Sequence, residues 1–305
     1  MKNKDILGLK NLDPSEITLI LDTAQGFKKL LNQGVKKLPH LQGKTVTTLF
    51  YENSTRTRTS FELAAKYMSA NTVNLSVGTS SVVKGESLID TGMTLDAMKN
   101  DVIIIRHPMS GSAALLASTV KCSVINGGDG INEHPTQALL DMLSMREKYG
   151  TFKNLKVAII GDIKHSRVAK SNIYGLIKMG AEVSIFGPRT LMLPDLKENG
   201  AKIAGSREEA VRDADVVMGL RLQLERQAGG LFPTLAEYAQ FYGVNDDVMK
   251  HAKKDALIMH PGPVNRGVEL SSGVIDGEQS MINDQVLSGV AVRMALLYLL
   301  TKADK

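Results

Sequence analysis

Ser54, Thr55, Arg56, Thr57, Arg58 and Thr59 stand in an unbroken row that mixes hydroxyls with two guanidiniums. Directly after them Phe61, Ala64, Ala65 and Met68 recur at i, i+3, i+4 and i+7, the apolar face of a helix. Directly before them Thr45–Tyr51 is β-branched and aromatic and reads as a buried strand. The donors therefore sit between a strand end and a helix N-terminus, where unpaired backbone N–H groups and the helix dipole favour an anion. Arginine adds permanently charged, bidentate donors to that setting. Ordinary N-capping uses one hydroxyl, and two guanidiniums at the positive end of a helix repel it unless an anion is present. The chemistry implied is phosphate binding without a glycine-rich loop.

Further polar groups fall where expected strands end, the edge at which open α/β sheets hold ligands. Arg106-His107-Pro108 closes a strand at 101–106. Gly127–Gly130 reads as a flexible turn, and His134-Pro-Thr-Gln137 opens a helix with proline in its first turn. His134 and Gln137, three residues apart, can face one pocket. His260-Pro-Gly-Pro263 follows a strand at 256–259, and a tight Gly-Pro turn of this kind is where cis-proline is found.

The elements that carry these groups alternate. Strands are expected at 45–51, 72–77, 101–106 and 121–125, with helices at 55–70, 87–99 and 111–119 between them. This pattern predicts a parallel sheet covered on both faces. A helix from Pro135 to about Tyr149 stops at Gly150. A second unit opens with the strand Val157–Asp162, continues with a helix around 175–179 and a strand at 182–187, and adds strands at 215–220 and 256–259. The turn Gly161-Asp-Ile-Lys-His-Ser-Arg167 lacks the glycine spacing that a dinucleotide needs, which argues against NAD. A C-terminal helix from about 285 to 301 shows an apolar face at Val286, Val290, Met294 and Leu297. The fold class expected is α/β: domain 1–150, domain 151–284, and a C-terminal helix at 285–305 packing back on the first.

The 305 residues suit two domains. The longest apolar runs, Val102–Ile105 and Ala295–Leu300, are too short to span a bilayer, and no signal-type stretch follows Met1. The single cysteine, Cys122, excludes an internal disulfide and a multi-cysteine zinc site and reads as an inert core residue. A cytoplasmic location is expected. The net charge of +5 is spread thinly, which disfavours nucleic acid and suits small polyanionic substrates.

With these motifs in order, the chain resembles the aspartate and ornithine carbamoyltransferase family over essentially its whole length. Ser54-Thr-Arg-Thr-Arg58 with Ser60-Phe-Glu62, then Arg106-His-Pro108, then His134-Pro-Thr-Gln137 match the family's motifs. Ornithine enzymes are alike in a His-Cys-Leu-Pro segment and a Ser-Met-Gly loop. Here the corresponding stretch is His260-Pro-Gly-Pro-Val-Asn-Arg-Gly-Val-Glu269, without cysteine, which is similar to the aspartate branch.

The resemblance implies transfer of a carbamoyl group from carbamoyl phosphate to L-aspartate, early in pyrimidine synthesis. Ser54, Thr55, Arg56 and Thr57 would hold the phosphate. Thr57, Arg106 and His134 would face the carbonyl oxygen. Gln137 and the backbone carbonyls of Gly262 and Pro263 would receive the carbamoyl nitrogen. A dicarboxylate needs cations, for which Arg167 and Arg221 at second-domain strand ends are expected, with Gln223 nearby and Arg226 a rival to Arg221. The loop Gly78–Ser87 would carry Lys84, and Ser80 or Ser81, into a neighbouring subunit's site, implying a homotrimer with shared sites. A regulatory subunit is compatible with the resemblance but is not expected from these residues. No metal, covalent nucleophile or cofactor is expected. The charged, glycine- and proline-containing stretch 223–234 reads as a loop that closes on substrate. The alternatives are an ornithine or other-amine carbamoyltransferase, a silent phosphate-metabolite sensor, and an NAD-binding protein.

Overall fold

The structure is a computed structural model that describes residues 1–76, 86–223 and 234–302. The chain forms two compact units, Met1–Leu143 with Leu287–Lys305, and Ser144–Val286.

In the first unit β1 (Thr45–Phe50), β2 (Asn71–Ser76), β3 (Val102–His107) and β4 (Ser123–Asp129) form a wholly parallel sheet in the order β2-β1-β3-β4. Ahead of it runs α1 (Pro14–Asn32), a helix outside the expected alternation. The crossovers carry α2 (Thr55–Tyr67), α3 (Leu88–Ala97) and α4 (Ser112–Thr119), and α5 (Pro135–Tyr149) follows β4. Adjacent strand residues face opposite ways. Ile103 and Ile105 join Leu49, Val124 and Leu116 in one buried cluster. The expected face of α2 is fully buried at Phe61, Ala64 and Ala65, with Met68 at its C-cap.

The glycines after Ile125 correct one expectation. Gly127-Gly128-Asp129 is a buried part of β4, not a flexible turn. Ile105 pairs with Asn126 but His107 pairs with Asp129, so Gly127 and Gly128 together oppose Arg106 in a β-bulge. The bulge needs glycine: Gly128 has φ +119°, and a Cβ on Gly127 would lie 3.1 Å from the Ile105 carbonyl oxygen.

The second unit holds another parallel sheet, ordered β7-β6-β5-β8-β9. Its elements in chain order are β5 (Lys156–Ile160), α6 (Arg167–Lys178), β6 (Glu182–Phe186), β7 (Lys202–Ile203), α7 (Arg207–Val211), β8 (Val216–Gly219), α8 (Leu235–Tyr242), α9 (Asp246–Met249), β9 (Leu257–Met259) and α10 (Ser272–Asp276). Ala158, Ile160, Val217 and Ile258 pack with Val211, Val248 and Val274. In both sheets the strand order reverses, at β1/β3 in the first and at β5/β8 in the second. Such switch points are where α/β sheets bind ligands.

The last helix, α11 (Ile282–Thr301), buries Val290, Met294 and Leu297 as expected, but Val286 is 60% exposed. Gln285 is buried in its stead, because its Oε1 accepts the backbone N–H of His260 at 3.1 Å. At the other end Tyr298 meets Phe27 of α1 edge-on at 5.8 Å. By length and composition α11 is apolar enough to cross a membrane, yet it buries Ser288, which accepts from Lys28 Nζ at 2.9 Å, and Arg293.

Two outcomes test this packing. A Cβ on Gly187 would strike the backbone carbonyl of Gly161, which cannot rotate away. Gly187→Ala should therefore lower unfolding stability by about 1–3 kcal/mol, read as a shifted urea midpoint. Cys122 is half-buried, and burial with neighbouring Asp96 pushes its thiol up to about 12. A thiol reagent at pH 8 should accordingly label it at an appreciable rate only after denaturant is added.

Candidate active site

At the β1/β3 switch point the chain leaves β1 and enters α2 through Ser54, whose φ of −156° and ψ of 86° place it at the N-cap. Ser87, Ser166, Ser206, Thr234, Asn245 and Ser271 all cap their helices with side-chain hydrogen bonds. Ser54 does not. Its hydroxyl is thus not spent on the helix it precedes. Thr55 and Arg56 are exposed, and Thr57 is buried. The first turn of α2 contains no carboxylate, so its dipole keeps its full attraction for an external anion.

Arg106 reaches this turn from the end of β3. Its Nη1 donates to Thr57 Oγ1 at 3.4 Å and to the Gly127 carbonyl at 3.3 Å, while Nε pairs with Glu52 at 3.1 Å. The β4 bulge provides that carbonyl, and Glu52 balances the charge. Arg56, Thr57 and Arg106 are thereby brought to one end of one sheet. No motif names Glu52, although a carboxylate just before a cation-rich turn is a signal for it. The neighbouring His107 serves its own loop: its Nδ1 accepts from Met109 N at 3.0 Å, its ring lies 4.5 Å from that of Tyr51, and burial pushes its imidazole below the usual range.

His134 is buried and begins α5, its carbonyl accepting from Gln137 N at 3.0 Å. Its loop is tied down from both sides. Glu133 accepts Leu9 N at 2.7 Å, and Asn126 Nδ2 donates to Glu133 O at 3.3 Å and to Asp129 Oδ1 at 2.7 Å. Gln137 gives its Nε2 to Asp141 at 3.0 Å. That bond uses the amide N–H₂ side, and the carbonyl oxygen of the same side chain is an acceptor suited to an amide N–H₂.

In the second unit Arg167 lies beyond β5, at the first position of α6, rather than at a strand end. It is 3% exposed, behind the Ser166 cap. Arg221 and Gln223 follow β8 and are half-buried. His260 follows β9, and its Nδ1 accepts from Gly262 N at 2.9 Å; the Gly262–Pro263 bond is cis. Glu269 joins these segments, accepting Leu222 N at 3.0 Å, Asn265 N at 2.7 Å and Asn265 Nδ2 at 2.7 Å. Burial raises its carboxyl above the ordinary range despite those donors. Nothing in the sequence marked Glu269 as the strut between two loops. Ser80, Ser81, Lys84, Arg226 and the closing loop expected at 223–234, apart from its end residues Gln223 and Thr234, lie outside the described residues. Among the described residues no cluster of His, Cys, Asp or Glu could hold a metal ion.

The α2 turn has a direct test. Inorganic phosphate should raise the thermal midpoint of the protein in a dose-dependent way. Arg56→Ala should weaken that binding by about 10–100-fold, the worth of a hydrogen bond to a charged group, as read by calorimetric titration.

Residues 4–147 match the family model described as the aspartate/ornithine carbamoyltransferase carbamoyl-P binding domain, and residues 153–300 match the Asp/Orn binding domain of the same family. The aspartate carbamoyltransferase catalytic subunit of Acetivibrio thermocellus is 65% identical over 100% of this chain and 97% of its own. That of Ruminiclostridium cellulolyticum is 63% identical over 99% and 96%. Among solved structures, ornithine carbamoyltransferase from Pyrococcus furiosus superposes with a TM-score of 0.88 at 31% identity, covering 99% of this chain and 98% of that one. Aspartate transcarbamoylase from Trypanosoma cruzi, in complex with N-(phosphonacetyl)-L-aspartic acid, gives 0.87 at 31% identity, covering 96% and 94%. A parallel two-sheet fold with basic and hydroxyl donors at its switch point, matched along nearly its full length, belongs to the aspartate/ornithine carbamoyltransferase family.

Proposed function

We propose that this chain transfers the carbamoyl group of carbamoyl phosphate to the α-amine of L-aspartate, giving N-carbamoyl-L-aspartate and phosphate, early in de novo pyrimidine synthesis. The observation that carries this reading is the meeting of Arg106 with the uncapped, carboxylate-free turn Ser54–Thr57 at one switch point. The choice of amine rests on the 65% identical relative named as an aspartate carbamoyltransferase catalytic subunit and on His260-Pro-Gly-Pro263, which has no cysteine for ornithine.

In this reading the amine lone pair attacks the carbamoyl carbon and the carbonyl π-bond becomes a tetrahedral oxyanion. Thr57, Arg106 and His134 donate to that oxygen. Gln137, with the carbonyls of Gly262 and Pro263, takes the carbamoyl N–H₂. The C–O bond to phosphate then breaks, and the departing phosphate, held by Ser54, Thr55, Arg56 and Thr57, accepts the ammonium proton. Arg167 and Arg221, with Gln223, bind the aspartate carboxylates. These groups act by positioning and by stabilising developing charge. We extend the proposal to a cytoplasmic homotrimer in which Ser80 and Lys84 of one copy complete the site of the next.

Offering aspartate and ornithine separately with carbamoyl phosphate tests the reaction. Turnover is expected with aspartate, and turnover with ornithine alone would overturn the choice of amine. Arg106→Ala should lower kcat by about 10²–10³-fold, the usual loss for one oxyanion donor. Native mass measurement should give three copies.

A further inference from the structure

Helix α11 sends one guanidinium into the interior of the first unit. Arg293 is 3% exposed and stands among Ala291, Val292, Met294 and Ala295, all fully buried. Its Nη1 donates to Ser60 Oγ at 3.0 Å, its Nη2 reaches Thr136 Oγ1 at 3.5 Å, and its carbon lies 5.0 Å from the centre of the Phe61 ring. Burial brings the guanidinium down to about 10, opposed by the charge of buried Asp141, so it stays a cation at neutral pH. Gly289, one turn earlier, leaves room for it: a Cβ there would run into Arg293 Nη1. A glycine inside a helix weakens it, and burying a charge is costly where an aliphatic side chain would pack as well. The arrangement therefore does more than fill space.

Its partners show what else it does. Ser60 and Phe61 lie on α2, directly after the Ser54–Thr57 turn. Thr136 lies on the first turn of α5, between His134 and Gln137, and Asp141 on the same helix holds Gln137 Nε2 at 3.0 Å. One fork touches both helices whose N-terminal turns are read as the carbamoyl-phosphate donors. We propose that Arg293 is a positioning residue for carbamoyl phosphate, setting the N-terminal turns of α2 and α5 at the spacing the ligand needs. This rests on the function proposed above.

Arg293→Gln and Ser60→Ala, which removes the hydroxyl that Arg293 Nη1 reaches at 3.0 Å, test it, beside Leu21→Ala, a buried change in α1 used as a destabilised control. Each variant is assayed at a temperature the same interval below its own thermal midpoint. Arg293→Gln should lower kcat/KM for carbamoyl phosphate by about 10–100-fold, as expected for misplaced reacting groups. Inorganic phosphate should bind it correspondingly more weakly, while the KM for aspartate stays within about threefold. Ser60→Ala should move the same quantities in the same direction, and it carries the test alone if Arg293→Gln does not fold. Leu21→Ala should stay within about threefold of wild type on every one of them. An active wild type whose Arg293 and Ser60 variants lose no more than Leu21→Ala overturns the positioning role alone. A wild type inactive with every amine overturns the proposed reaction and the positioning role together.

Discussion

Positive charge gathered at the positive end of a helix is the condition on which the first unit is built. Arg56 and Arg58 sit in the first turn of α2, and Arg106 reaches that turn from β3. Without an anion these groups repel one another and the helix dipole. The protein meets the strain with a framework rather than with a neutralising carboxylate in the turn itself. Glu52 takes the Nε side of Arg106 and the bulge carbonyl of Gly127 takes an Nη. The anion then completes a balance that is already partly struck, which is how preorganised donors gain strength without reorganising.

The two sheets solve a common problem twice. Each reverses its strand order once, and around each reversal the strand ends and the helix starts that follow carry cations: Arg56 and Arg106 at β1/β3, Arg167 and Arg221 at β5/β8. Parallel strands end with their carbonyls on one edge, and the helices that follow begin there with free N–H groups. An architecture of this kind yields anion sites wherever two neighbouring crossovers diverge. That makes it suitable for a reaction between a phosphorylated donor and a dicarboxylate. Solved ornithine and aspartate carbamoyltransferases superpose equally well on this chain, in keeping with a scaffold whose first domain binds the carbamoyl phosphate that the family shares.

Buried carboxylates hold the site loops in each unit. Glu133 and Asp129 fasten the approach to His134, and Glu269 fastens the segments after β8 and β9. Each accepts backbone N–H groups that would otherwise be unpaired. Loops bearing functional groups are thus held by charge-assisted hydrogen bonds.

The α2 turn and its helix were legible because their signal is local: a run of donors, then an i, i+3, i+4, i+7 face, then a preceding β-branched strand. The same holds for His134-Pro-Thr-Gln137, and the alternation of strands and helices followed from hydrophobic periodicity. The Gly127–Gly128 bulge looks like a turn in the sequence because two glycines are alike in either setting, and only pairing with β3 tells them apart. Glu269 and Arg293 are invisible as site supports, since each acts on residues brought to it by the fold, whereas Glu52, just before the cation-rich turn, and Asp141, four positions after Gln137, leave a local signal. Arg293 reaches Ser60 across 233 positions of chain. Composition, periodicity and short-range spacing alone thus determined the α/β class and the anion-binding chemistry. Which carboxylate steadies which loop, and which buried cation holds two helix ends together, was decided by tertiary packing, because hydrogen bonds depend on distance in space and not on separation along the chain.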